Sequence, residues 1–263
     1  MWAPDIYEGS PTPSTLFFSV GSKAAGFAAL LRVFAYGGLS GYSGNYLWVV
    51  VAIAAALTMT VGNVVALLQS NIKRMMAYSS IAQAGYILVG FAALLINNSA
   101  IGNLGMLIFI AVYVVTNIGA FAGIIALADA TGQEKVRDFD GFGRRAPWMA
   151  AGMALCLLAL AGIPPMAGFL SKLFIFLAAW GQGSLMTLLV VIGLINSAIA
   201  LVYYTNIVWR MYTADPVKNE KIQVSGAVQL TMLISVVGIL ALTVFFSVFL
   251  TATGGSATSL LPH

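Results

Sequence analysis

Residues 148–180 read WMAAGMALCLLALAGIPPMAGFLSKLFIFLAAW, an apolar run of 33 residues whose only charge is Lys172. A straight helix of that length would measure about 50 Å at roughly 1.5 Å per residue. The hydrocarbon core of a bilayer is only about 30 Å thick. The run also contains GIPPMAGF, Gly162 to Phe169. A proline lacks the backbone donor and clashes with the preceding turn, so Pro164 and Pro165 together break or sharply kink a helix. Gly162 and Gly168 flank them. Broken backbone at membrane depth survives only where it is buried in protein or lines a wet cavity. In many transporters such breaks mark ion and substrate sites. Lys172 follows the break by one turn.

The rest of the chain fits the same solvent. Sixty per cent of the 263 residues are hydrophobic and 8% are charged, against about 25% charged in a soluble domain. So few charges cannot cover a water-facing surface. About 20 apolar residues cross the hydrocarbon core, and seven segments reach that length: 14–36, 46–69, 75–96, 101–128, 148–180, 184–211 and 226–251. Transmembrane β-strands would be shorter and strictly alternating. The expectation is an all-α, polytopic membrane protein with about seven transmembrane helices, one of them broken, forming a single transmembrane domain over residues 1–263.

Several function classes fall away. One cysteine, Cys156, and one histidine, His263, leave no disulfide framework, multi-cysteine cluster or histidine-built zinc or haem site. No metal site is expected. The chain shows no G-x-G-x-x-G after a strand and no Walker loop, hence no cofactor of its own. The net charge of +4 reads as membrane topology rather than nucleic-acid affinity. The connections near 37–45, 97–100 and 181–184 and the tail after 251 hold no Lys or Arg. The alternate connections hold Lys73 and Arg74; Lys135, Arg137, Arg144 and Arg145; and Arg210, Lys218 and Lys221, which is nine of the twelve basic residues. The positive-inside rule makes that side cytoplasmic, with the N-terminal loop inside and the C-terminus outside. All eight carboxylates lie in or beside the same loops. The opening MWAPDIYEGSPTP is a turn-rich acidic loop rather than a signal peptide; it reads like the middle of a membrane protein.

Three cations lie within spans: Lys23, Arg32 and Lys172. Lys23 is nine residues into the first span, so about 14 Å deep and too deep to snorkel easily. A lysine at a helix centre costs roughly 2.5–3.5 kcal/mol on insertion scales and usually faces a proton or ion path. An amine out of water surrenders its proton more readily than one in water, which suits a proton carrier. The competing reading is a lysine fixed on carbonyls that never titrates. Arg32 lies nine residues further on, on the opposite helix face at about 100° per residue. It is read as a snorkelling side chain. Polar stripes join these points. Ser79, Gln83 and Tyr86 share a face of the third span, Tyr113, Thr116 and Asn117 a face of the fourth, and Asn196 and Tyr203 a face of the sixth, with Ser197 and Tyr204 beside them. Such spacing can hold a water chain or ordinary inter-helix hydrogen bonds. No span contains an obvious mid-membrane Asp or Glu, so a carboxylate to tune the lysines is expected from another chain or from sequence beyond this one.

WAPDIYEGSPTP followed by SVGSKAAGFA, the block Gly62–Tyr86 with LLQSNIKRMMAYSSIAQAGY, and LAGIPPMAGFLSKLFIF at Leu160–Phe176 together resemble the subunit N family of the bacterial NADH-quinone oxidoreductase, respiratory complex I. The subunit 2 family of the plastid and cyanobacterial NAD(P)H–plastoquinone dehydrogenase is similar, and more distantly so are cation/proton antiporter subunits. The resemblance implies proton transfer by Lys23, on the family's eighth helix, and by Lys172, on its broken twelfth helix. Lys73 matches a family lysine at the cytoplasmic start of the tenth helix, as part of the path or as an anchor of that helix end. The resemblance covers the last seven of about fourteen family helices, so the chain is expected to be a C-terminal portion. The family's functional glutamate on its fifth helix and lysine on its seventh would then precede Met1.

The function expected on this resemblance is that of a proton-translocating membrane subunit, in a complex that couples NADH oxidation and quinone reduction to proton movement. NADH, FMN, iron–sulfur clusters and quinone would belong to other subunits. The expected partners are other membrane subunits of complex I and the lipid bilayer, with no nucleic acid. The expected location is the cell inner (plasma) membrane. The alternatives are a cation/proton antiporter subunit and a truncated chain with a packing role only.

Overall fold

A computed structural model of the chain describes residues 2–36, 46–97, 100–216, 220–248 and 251. The connection 37–45, Lys218 and the tail beyond 251 lie outside the described residues. The elements are α1 (Ala3–Gly9), α2 (Thr12–Tyr36), α3 (Leu47–Leu67), α4 (Ile72–Asn97), α5 (Ala100–Thr131), a 3-10 turn (Val136–Phe139), α6 (Phe142–Arg145), α7 (Pro147–Ala161), α8 (Ala167–Ala179), α9 (Ser184–Thr213) and α10 (Gly226–Val244). Six of these are long and apolar enough to cross a membrane: α2, α3, α4, α5, α9 and α10. The expected fifth span is instead two short apolar helices, α7 and α8, laid end to end around the proline break. The chain is therefore an all-helical, multi-pass membrane protein with one broken crossing.

The ion pairs confirm the alternation of the loops. Arg74 pairs with Asp5 at 2.8 Å and Glu8 at 2.7 Å, Lys73 with Glu134 at 2.8 Å, Arg144 with Asp215 at 2.7 Å, and Arg210 with Asp140 at 3.2 Å. These pairs tie α1, the start of α4, the α5–α7 connection and the end of α9 to one end of the bundle. A β-bridge between Asn71 and Lys135 adds a backbone link there, with Ile72 N donating to Glu134 O at 2.8 Å. Trp148 and Trp209 are exposed at this basic end, and Tyr46 and Trp180 at the other, as interfacial aromatic belts require. Arg32 is exposed on the outer flank of α2, in line with snorkelling.

Between the ends, α4 and α5 form the buried centre, while α2 and α10 lean on it from outside. Without a hydrophobic force between helices in lipid, association depends on small residues that let backbones approach. Gly62 on α3 does this: a Cβ there would stand 2.6 Å from Ala82 N and 2.9 Å from Tyr78 O of α4. Large apolar side chains such as Phe17, Val50, Leu57, Ile195 and Ile234 face outward, where lipid tails receive them.

Candidate functional site

The broken crossing creates the first half of the site. Helix α7 ends on Gly162 in the left-handed region at φ 86°, with Gly162 N donating to Leu158 and Ala159 and Ile163 N donating back to Leu158. This is a Schellman-type stop. It leaves the last carbonyls of α7 without helical donors at membrane depth, where each needs a partner. Lys172 supplies it: Nζ donates to Leu160 O at 3.1 Å and Ala161 O at 3.0 Å. Gln83 of α4 donates a further bond to the same Leu160 carbonyl at 3.3 Å. The ammonium therefore sits at the negative end of the α7 dipole, an arrangement worth up to about 2 kcal/mol when partly buried. It also lies 4.8 Å from the centroid of Tyr86, within cation–π reach. Gly162 and Gly168 make the space. A Cβ on Gly162 would stand 3.2 Å from Lys172 Cδ, and one on Gly168 would overlap the Ala159 carbonyl. Thr243 of α10 caps the start of α8, accepting from Ala167 N at 3.1 Å. Pro164 and Pro165 occupy the link between the half-helices, joined by a cis peptide.

Lys23 of α2 makes a parallel arrangement one helix away. Its amine donates to the Ser80 carbonyl and hydroxyl of α4 and to Tyr113 OH of α5 at 3.4 Å, and stands 5.2 Å from the Tyr113 ring centroid. Around it, Tyr113 OH meets Ser80 Oγ at 3.3 Å and Ser19 Oγ at 3.4 Å. Asn117 donates to Ser19 and to Tyr113 OH. Tyr7 of α1 adds a hydroxyl 3.3 Å from Ser80 Oγ. On its other flank Lys23 borders an open cleft of about 270 Å³ with Gly26, Phe27, Leu30 and Leu88.

Lys172 faces a small recess that Lys23 reaches only through Tyr113, to whose hydroxyl it donates. Tyr113, Thr116, Gln83, Ser171 and Lys172 line it, together with Phe109 and Val112. Its free volume is about 10 Å³, on the scale where a single water needs roughly 10–15 Å³. Its volume is therefore on the scale of a single water, with the apolar Phe109 and Val112 beside it.

The third stripe joins from the opposite side. Asn63 of α3, fully buried, donates to Tyr86 OH at 3.4 Å and Asn196 Oδ1 at 3.2 Å and accepts from Tyr203 OH at 3.0 Å. Asn196 passes the chain on to Thr60 at 3.2 Å, and Ser197 donates to Tyr86 OH at 3.3 Å. Ser79 is bonded to Tyr204, whose ring packs 4.5 Å from that of Tyr203.

All eight residues of the predicted stripes are buried: Ser79, Gln83, Tyr86, Tyr113, Thr116, Asn117, Asn196 and Tyr203. Thr116 differs from the others, since its hydroxyl donates only to the carbonyls of Val112 and Tyr113 on its own helix. Lys73 lies apart from both lysine clusters. It is buried against Glu134 and donates to Ser10 O at 2.9 Å. Its carboxylate partner is in this chain, whereas among the described residues no carboxylate pairs with Lys23 or Lys172. Sequence reasoning missed Asn63, Ser80, Ser19 and Tyr7. A lone Asn in an apolar span, as in VGNVVALL, is the signal that could have found the first.

Comparison with known proteins bears on this geometry. The model of the transmembrane family described as NADH:quinone oxidoreductase/Mrp antiporter, TM matches residues 1–200. The chain is 46% identical over 238 residues to NADH-quinone oxidoreductase subunit N of Heliobacterium modesticaldum, covering 90% of this chain and 49% of that one. It is 44% identical over 215 residues to NAD(P)H-quinone oxidoreductase subunit 2 of Prochlorococcus marinus, covering 82% of this chain and 40% of that one. The chain thus spans about half the length of the curated relatives it matches. Among solved structures, a chain of respiratory complex I from Thermus thermophilus superposes with a TM-score of 0.77 at 30% identity, over 95% of this chain and 53% of that chain. A chain of the membrane-bound sulfane sulfur reductase, an archaeal respiratory membrane complex, superposes with a TM-score of 0.87 at 28% identity, over 99% and 52%. A match to the family model over most of its length makes this chain a member of the NADH:quinone oxidoreductase/Mrp antiporter transmembrane family.

Proposed function

We propose that the chain forms the lysine-bearing part of a proton-translocating membrane subunit of an NADH:quinone oxidoreductase. The observation that carries the reading is that Tyr113, which accepts from Lys23, also lines the recess that Lys172 faces. Lys23 and Lys172 each rest on backbone carbonyl oxygen and a tyrosine face, and Tyr113 links the Lys23 cluster to the recess beside Lys172. In this reading a proton passes between the amines through the Tyr113 hydroxyl and water held in the recess. When Lys172 is neutral, Gln83 still donates to the Leu160 carbonyl, so that acceptor keeps a partner. The likeness to subunit N supports assigning the work to a complex that oxidises NADH and reduces quinone.

The same reading gives NADH, FMN, the iron–sulfur clusters and quinone to other subunits, and makes other membrane subunits of that complex the partners. Residues 1–263 act as a single transmembrane domain. The basic end faces the cytoplasm of the cell inner (plasma) membrane, on the positive-inside rule. In the assembled complex, Lys23→Ala and Lys172→Ala lower proton pumping while NADH oxidation by the peripheral subunits persists. Unchanged pumping in a fully assembled complex would refute the reading. A second reading, a cation/proton antiporter subunit, is favoured by the family model's own scope. Copurification with quinone-reducing subunits separates the two.

A further inference from the structure

The N-terminal segment reads in sequence as a turn-rich loop, yet it folds as a short helix that reaches the lysine site. In α1, Pro4 and Tyr7 point inward and are buried, while Asp5, Ile6 and Glu8 are exposed. Asp5 and Glu8 clamp this helix onto Arg74 at 2.8 and 2.7 Å, and Asn71 donates to Glu8 at 3.4 Å. Thr15 of α2 donates to the Tyr7 carbonyl at 3.2 Å, fixing the α1–α2 corner. The result is that a surface helix at the basic end sends one phenol down to the hydroxyl that binds Lys23. Tyr7 OH lies 3.3 Å from Ser80 Oγ, and Ser80 Oγ accepts from Lys23.

We propose that Tyr7 is the relay hydroxyl through which Lys23 exchanges protons with the basic face, by way of Ser80. The inference rests on the proton-translocating reading above. The step balances without any co-reactant beyond water. A hydronium at the basic face gives a proton to the Tyr7 oxygen as Tyr7 passes its own proton to Ser80 Oγ. Ser80 in turn passes its proton to the neutral Lys23 amine. Each hydroxyl ends with the one proton it began with, and the net change is one proton on Lys23. Two features favour a relay over simple packing. Ser80 Oγ is shared by three groups, Lys23, Tyr7 and Tyr113, so it joins the phenol to the amine. The α1–α2 corner is held by bonds that do not use the Tyr7 hydroxyl, those of Thr15 and Arg74.

The test uses Tyr7→Phe, Ser80→Ala, their double variant and Lys23→Ala in the full-length subunit of the assembled complex. Protons moved per NADH oxidised are read in vesicles, with the amount of assembled complex as control. Tyr7→Phe keeps the ring and the clamp, so assembly is retained while the proton ratio falls toward that of Lys23→Ala. Because both single variants cut one link, the double variant loses no more than either alone. A full proton ratio in Tyr7→Phe beside a lowered one in Lys23→Ala overturns the relay and leaves the lysine reading standing. So does an additive loss in the double variant. If Tyr7→Phe assembles poorly, Ser80→Ala carries the test: a full ratio there also overturns the relay. A full ratio in Lys23→Ala overturns the lysine reading itself.

Discussion

Replacing Gly162 by Ala tests the seat of Lys172 with the least chemical change. Gly162 holds φ 86°, and an added Cβ would stand 3.2 Å from Lys172 Cδ and 3.3 Å from its Nζ. An L-residue in the left-handed region costs about 1–2 kcal/mol. The lysine must also shift by a few tenths of an ångström, which weakens its bonds to Leu160 O and Ala161 O. Charge-assisted bonds contribute about 1.5–3 kcal/mol each, so losing part of one brings the total to roughly 2 kcal/mol or a little more. At about 2–4 °C per kcal/mol for a chain of this size, the thermal midpoint should fall by some 4–8 °C. Cys156 provides the readout, because it is free, fully buried and on α7 itself, six residues before Gly162. A thiol-reactive fluorophore in detergent reports its exposure on heating. Gly26→Ala is the control, since a Cβ there meets nothing within 4 Å, and it should leave the midpoint unchanged or raised. Equal midpoints for Gly162→Ala and Gly26→Ala would show that the left-handed cap does not hold the lysine seat.

Other changes read other parts of the account. Asn63→Leu removes three hydrogen bonds, to Tyr86, Asn196 and Tyr203. At about 0.6 kcal/mol each in a membrane bundle, a loss near 2 kcal/mol is expected by the same thiol assay, and a neutral result would dissolve the network. Gly62→Ala drives a Cβ to 2.6 Å from backbone of α4, so overpacking of about 1–3 kcal/mol should lower the midpoint; no change would deny the close α3–α4 approach. Glu134→Gln leaves Lys73 buried without its counter-charge. Since Glu134 is 27% exposed, the cost is put at about 1–2 kcal/mol, below that of a fully buried pair. Its proton ratio should stay intact, because Lys73 stands outside the lysine clusters; a lowered ratio in a stable complex would move Lys73 into the path.

Much of this arrangement is written locally in the chain. The break at Pro164 and Pro165 follows from the chemistry of proline, and Lys172 one turn later is close enough to cap what the break frees. Lys23 stands out because an ammonium among apolar neighbours needs a reason. The alternation of basic loops gave the sidedness that the Lys73, Arg74, Arg144 and Arg210 pairs display. Helical spacing tells which residues share one face, so the stripes on α4, α5 and α9 were visible. It does not tell which helices meet. Asn63 has only Thr60 beside it on its face of α3, and its role exists because α4 and α9 bring Tyr86, Asn196 and Tyr203 to it. Tyr7 and Ser80 are 73 residues apart, joined by a clamp between charges that a sequence reads only as loop composition. Lys73 is open in the sequence between path and anchor, and its pairing with Glu134, far along the chain, is not something helical spacing displays.

The most direct test of the central claim is the number of protons moved per NADH oxidised by vesicles holding the assembled complex, compared among the parent, Lys23→Ala, Lys172→Ala and the double variant. If the two amines serve one path joined through Tyr113, each single variant lowers the ratio and the double variant lowers it no further. A parental ratio in either single variant, with the complex assembled and oxidising NADH, would contradict the account.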